Sequence, residues 1–152
     1  MSSSSASTLR VLVVSDTPQF EDLVGCLPED FTSEFDLEHL GDQTRMSSAV
    51  NSFNPSVVLF LFKGTESARS LTPGLVEMLG VVPFVVGGVP AEPSIRKGIY
   101  DLGAADCFDT CPEPLEFLAS LARHARRFLA LRDRDVNSSR TLQVSQQLRA
   151  RN

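Results

Sequence analysis

The chain has 152 residues, 42% of them hydrophobic and 22% charged, the ordinary composition of one globular domain with a sizeable core plus an extension. No apolar run approaches the roughly 18 residues that a membrane helix needs. The formal charge of −5 is unevenly divided: residues 1–122 hold 17 acidic and 6 basic side chains (−11), residues 123–152 hold 2 acidic and 8 basic ones (+6), and the sum is −5.

The opening Met1-Ser2-Ser3-Ser4-Ser5-Ala6-Ser7-Thr8 has no basic n-region and no apolar h-region, so it is not a signal peptide and reads as a disordered arm over residues 1–8. Cys26, Cys107 and Cys111 are an odd count without a CxxC, which argues for reduced thiols and a cytoplasmic protein. The Cys107–Cys111 spacing fits no zinc motif, and His39 and His124 lie far along the chain, so no metal is expected.

Arg10 to Asp16 reads as a first buried strand ending in a polar pair, Ser15-Asp16. Thr17, a capping residue, and Pro18, suited to a first helical position, open a helix to about Leu27. Phe20, Leu23, Val24 and Leu27 supply its buried face. Phe31 to Leu40 alternates as an edge strand would, Phe35, Leu37 and His39 against Asp36, Glu38 and Leu40. Asp42 starts a second helix through Phe53, stopped by Asn54-Pro55. Val57 to Phe62 is then an unbroken apolar run closed by Gly64, the composition of a central parallel strand buried on both faces.

Thr65 to Leu79 predicts a helix interrupted or restarted at Thr72-Pro73-Gly74 and ended by Gly80. Pro83 to Gly88 is a fourth strand running into a glycine loop, Pro93 or Ser94 opens a helix to Leu102 stopped by Gly103, and Asp106 to Asp109 is a short fifth strand. Pro114 begins a last helix with Leu115, Leu118, Leu121, Ala122, Ala125, Phe128 and Leu129 on its apolar stripe. That helix continues through Arg134, weakens at Asn137-Ser138-Ser139 and resumes from Thr141 to Arg151 with Leu142, Val144 and Leu148. A lone polar helix of that length is marginal in water, so residues 132–152 are expected to pair with a second copy as a coil, or to lead into a further domain beyond Asn152. Strands alternating with helices through short connections predict an α/β fold, a doubly wound parallel sheet with helices on both faces.

In such sheets chemistry sits just outside the C-terminal strand ends. The central strand offers Leu61, Phe62 and Lys63 there, with no carboxylate, hydroxyl or imidazole among them. Lys63 reads as a solvated loop lysine, Gly87-Gly88 as turn geometry without a phosphate-loop pattern, and Asp106 and Asp109 as turn acids. The basic tail lacks aromatic interleaving and a helix-turn-helix, so neither nucleic acid nor membrane is the expected partner.

Val11-Leu12-Val13-Val14-Ser15-Asp16 first, Pro55 to Leu61 third, Pro83 to Gly88 fourth and Gly103-Ala104-Ala105-Asp106-Cys107-Phe108-Asp109 fifth resemble, in order and spacing, a bacterial response-regulator receiver (CheY-like) domain over about residues 9–131. The resemblance implies five strands in the order 2-1-3-4-5. Such receivers hold Mg²⁺ with two acids after the first strand, accept phosphate on an aspartate ending the third, and sense it with a hydroxyl after the fourth and a lysine after the fifth. Taken position by position, the acid pair falls on Ser15 and Asp16, the acceptor on Leu61, the hydroxyl on Gly88, the lysine on Thr110 with Cys111 where a proline usually follows, and the aromatic switch on Cys107. Asp16 alone cannot anchor Mg²⁺ tightly, and Leu61 has no nucleophilic atom. The resemblance therefore implies a pseudo-receiver: no enzyme, no cofactor, no metal, acting by protein–protein contact or homodimerisation. Its long last helix would relay to an output domain, a histidine kinase or a cyclic-di-GMP enzyme. The partner face would be the fourth helix, fifth strand and fifth helix, marked by Ile99, Tyr100, Phe117, Leu121 and Phe128. The alternative is a sensor of a nucleotide or apolar ligand in the emptied pocket near Asp16, Leu61 and Gly88.

Overall fold

β-branched and aromatic runs bury best on a pleated surface covered on both faces, and this chain supplies several of them. The computed structural model describes residues 8–26, 34–63, 70–89, 92–109 and 114–151. Strands β1 (Leu9–Val14), β2 (Phe35–Leu40), β3 (Val57–Leu61), β4 (Phe84–Gly87) and β5 (Asp106–Cys107) form one sheet in the order β2-β1-β3-β4-β5. Every pairing is parallel, with Val13 against His39, Val14 against Phe60, Leu61 against Gly87 and Val86 against Cys107. The helices are α1 (Thr17–Cys26), α2 (Met46–Phe53), α3 (Pro73–Glu77), α4 (Pro93–Asp101) and α5 (Pro114–Arg151). Among the described residues no helix is long and apolar enough to cross a membrane.

The strand period of two divides the core. Leu12, Val14, Val58, Phe60 and Val86 face one side with Met46 of α2, Leu75 of α3 and Ile99 of α4. Val11, Val13, Val57, Leu59 and Val85 face the other with Phe117, Leu118, Leu121 and Ala125 of α5, joined by Phe20 and Leu23 of α1. Phe60 is fully buried and meets Phe84 edge-on at 5.8 Å. Burying such a ring contributes about 1.5–3 kcal/mol.

Local chemistry sets the ends. The Asp42 carboxylate accepts the Thr44 N–H at 3.0 Å and opens a short 3₁₀ turn, Gln43–Arg45, ahead of α2. Asn54 closes α2 in the left-handed conformation (φ 56°). Thr72 Oγ1 accepts the Leu75 N–H and Pro73 takes the first turn of α3.

Several expectations shift. β1 ends at Val14, and the Asp16 carbonyl accepts the Phe20 N–H, so α1 is entered from Asp16 with Thr17 already helical. Val24 is exposed, because the α1 face that meets the core is carried by Phe20 and Leu23. The predicted second helix is a 3₁₀ turn followed by an α-helix. α5 runs without a break through Asn137-Ser138-Ser139. Leu27, Phe31 and the segment 64–69 lie outside the described residues.

Candidate functional site at the C-terminal edge of the sheet

Parallel strands all release their chains at one edge, which makes that edge the natural site. β1 leaves through Ser15-Asp16, β3 through Leu61-Phe62-Lys63 and β4 through Gly87-Gly88. Leu61 is directly opposite Gly87, and Ser15, one step past the Val14–Phe60 pair, comes level with Leu61. The structure thus brings Ser15, Asp16, Leu61 and Gly88 to one edge. Thr110 and Cys111 lie outside the described residues.

Ser15 is buried, and its Oγ donates to the Asp16 carbonyl at 3.0 Å. Its own carbonyl accepts from His39 Nε2 at 2.7 Å, and the imidazole lies flat on the Phe20 ring, centroids 4.5 Å apart and 9° between planes. His39 therefore ties the end of β2 to the β1–α1 corner. Sequence reasoning did not find this role. The only signal was the strand alternation that put His39 on the side of Phe35 and Leu37. Asp16 and Lys63 are exposed.

The β3–β4 corner is closed by backbone. Gly88 sits at φ +83°, and a Cβ there would fall 1.9 Å from the Phe62 carbonyl oxygen. No residue with a side chain fits without moving that strand end, so the position is held to glycine. A Cβ on Gly87 would lie 3.0 Å from Leu61 Cδ2, and the Phe62 N–H donates to the Gly87 carbonyl at 2.9 Å. Leu61, half-buried, ends β3 directly opposite Gly87.

Mg²⁺ needs a near-octahedral shell of hard oxygens. The edge supplies the Asp16 carboxylate, a Ser15 hydroxyl already donating to backbone, and the hydrocarbon of Leu61. Among the described residues no group of three or more His, Cys, Asp or Glu could hold a metal. This donor set does not fit the ion.

A second polar cluster joins β5 to α5. Asp106 is no turn acid: Oδ2 accepts from Ser120 Oγ at 2.8 Å and Oδ1 accepts the Cys107 N–H at 3.0 Å. Arg123 Nη2 and His124 Nε2 each lie 3.7 Å from Oδ2. Ser120, Arg123 and His124 share one helix face by their three- and four-residue spacing. The serine donates to the carboxylate rather than to the imidazole, so this is no nucleophilic triad. Burial pushes the Cys107 thiol above its usual range, helped by Asp106 and Asp109 and opposed by Arg96. Burial likewise raises the Tyr100 phenol, and the charges of Asp106 and Cys107 add to it.

Of the expected contact face, Tyr100 is 44% exposed, whereas Ile99, Phe117 and Leu121 are 5%, 3% and 1% exposed and belong to the two cores. They face the sheet, so they cannot mark a surface. Phe128 is half-buried beneath the Arg132 guanidinium, 5.7 Å from its centroid.

No family model and no curated protein matches this sequence. Solved structures do. The N-terminal signal receiver domain of a two-component response regulator from Bacteroides fragilis superposes with TM-score 0.61 at 19% identity over 78% of this chain and 98% of its own. A CheY-like response regulator from Mesorhizobium loti gives 0.59 at 14% over 77% and 98%. The receiver domain of the sensor histidine kinase PA1611 from Pseudomonas aeruginosa PAO1, with magnesium coordinated in its active-site cleft, gives 0.59 at 13% over 78% and 98%. The likeness is one of fold, and the fold is that of the response-regulator receiver, CheY-like domains.

Proposed function

We propose that this chain is a phosphorylation-independent receiver-like module of a two-component-type signalling protein, working in the cytoplasm by contact. The observation that carries the reading is Leu61, a hydrocarbon side chain at the end of β3, level with Ser15 and against Gly87. An acyl phosphate needs a carboxylate nucleophile, and a doubly charged phosphate needs cations and hydroxyls to pair with. Leu61 provides no nucleophile, and Gly88 has no room for a hydroxyl-bearing side chain. Neither enzymatic activity nor a cofactor is part of the reading.

The module would associate with a second copy through α5 and pass orientation along that helix to an output domain of the histidine-kinase or cyclic-di-GMP type. The length of α5 supports this: its last core residues are Ala125 and Leu129, and it continues to Arg151. The closed β3–β4 corner weighs against the alternative of a ligand sensor in the emptied pocket.

Incubation with acetyl phosphate and Mg²⁺ tests the central point. Intact mass should stay unchanged, and a stable gain of one phosphoryl group would overturn the reading.

A further inference from the structure

Asp106 faces more groups than it holds. Its Oδ2 accepts from Ser120 Oγ at 2.8 Å and its Oδ1 accepts the Cys107 N–H at 3.0 Å. His124 Nε2 stops 3.7 Å from the same Oδ2, beyond hydrogen-bond length. Alone among the buried side-chain polar atoms of the described residues, that nitrogen has no hydrogen-bond partner. Buried polar groups are nearly always satisfied, so an exception calls for a reason. The imidazole is only 16% exposed, which keeps bulk water from serving it.

The surroundings favour a proton there. A carboxylate is acceptor-only, so Nε2 gains by carrying a hydrogen, and the charged ring carries one on both nitrogens. Beside Asp106 on β5, the buried Cys107 thiol stays neutral, and so does the Tyr100 phenol of α4, which feels the Asp106 charge. Arg96 of α4 acts on those two groups, and Asp109 on the thiol. On α5, Arg123 reaches Oδ2 from solvent, 67% exposed, and Arg127 is exposed one turn on, so water screens both. We propose that His124 and Asp106 form a proton-operated clamp between β5 and α5, closed when the imidazole is charged and the 3.7 Å approach becomes a charge-assisted hydrogen bond. The clamp stands apart from the reading at Leu61, and gives a module without a phosphoacceptor a signal that its last helix can feel.

An imidazole takes up its proton at about pH 6.5. A contact that only the charged form makes, and only in the folded state, adds stability on the acid side of that range and loses it on the alkaline side. Urea denaturation of the full chain at about pH 5.5 and about pH 8 compares wild type, His124→Gln, Asp106→Asn and the double variant, with folding verified by circular dichroism. Coupling between the two positions should change the unfolding constant at least about fivefold at the acid pH and less than about twofold at the alkaline one. His39, the other histidine, bonds the Ser15 carbonyl from β2, at the opposite edge of the sheet from β5. It is common to all four proteins, so its own titration cancels. Equal coupling at both pH values would mean a neutral contact and no switch, and coupling at neither would mean no contact; each overturns the proposal. If Asp106→Asn does not fold, wild type against His124→Gln decides. The ratio of their unfolding constants should then shift at least about fivefold toward a more stable wild type at the acid pH, and a level ratio overturns the clamp.

Discussion

Gly88 is the residue on which the site's geometry turns. Its φ of +83° alone costs a side-chain-bearing residue about 1–2 kcal/mol, and the Cβ would press on the Phe62 carbonyl at 1.9 Å. Gly88→Ser should therefore lose more than about 2 kcal/mol, read as a lower urea midpoint at unchanged slope. A loss below about 0.5 kcal/mol, the range of a neutral surface change, would show that the corner is not closed as described. Leu61→Asp asks the complementary question. The new carboxylate would stand beside Gly87 with no hydroxyl at Gly88 and one carboxylate, Asp16, just past β1. We expect no phosphoryl adduct from acetyl phosphate by intact mass; labelling would mean that the remaining shell is competent. The strand end was legible in the sequence because the apolar run Val57 to Phe62 stops at Lys63, and the receiver resemblance singled out Leu61 within it. The steric demand at Gly88 was not, since it comes from Phe62, just past the end of β3. Nor was the His39 contact, which joins residues 24 apart.

At the scale of elements, the short β5 is held by α5 through one carboxylate. Asp106→Ala would strand the buried Ser120 hydroxyl and leave Arg123 and His124 without their facing charge. Leaving such a group unmade costs about 1–3 kcal/mol. Ser120→Ala should cost less, and the double variant less than the sum, which a urea-denaturation cycle measures. A fully additive pair would sink the idea of a shared lock. Cys107 beside it is raised by burial, so the folded state prefers the neutral thiol. That preference stabilises the fold below the unfolded thiol's pKa and is lost as pH rises through the folded one. At pH 8 Cys107 should resist iodoacetamide in the native protein and react in urea, as peptide mapping would show. The five-fold alternation of strand and helix was readable from apolar runs and turn residues. So was the stripe of α5 that meets the sheet, where Leu118, Leu121, Ala122 and Ala125 are buried, but Ile99, Phe117 and Leu121 were also read as contact residues and they face inward. Periodicity defines a stripe without saying what covers it. The Asn137-Ser138-Ser139 break failed for a related reason, since weak local propensity does not by itself end a helix.

For the whole molecule, the boundary of charge and the boundary of the fold do not coincide. Composition changes sign near residue 122, yet α5 still packs Ala125 fully inside and Phe128 and Leu129 partly so. The two overlap because one side of α5 is core while the other carries Arg123, Arg126 and Arg127 to solvent. A chain cut after Ala122 loses that packing and the Arg126–Glu34 pair, and should be destabilised by at least about 3 kcal/mol, roughly the worth of two large apolar side chains. A chain cut after Leu131 keeps every described core residue and should melt within a few degrees of the full chain. It should also be monomeric by light scattering where the full chain is not. If the shorter chain melts like the longer one, the arginine-rich turns of α5 are not part of the domain. If the longer chain still self-associates, the contact lies on the body and not on the projecting helix.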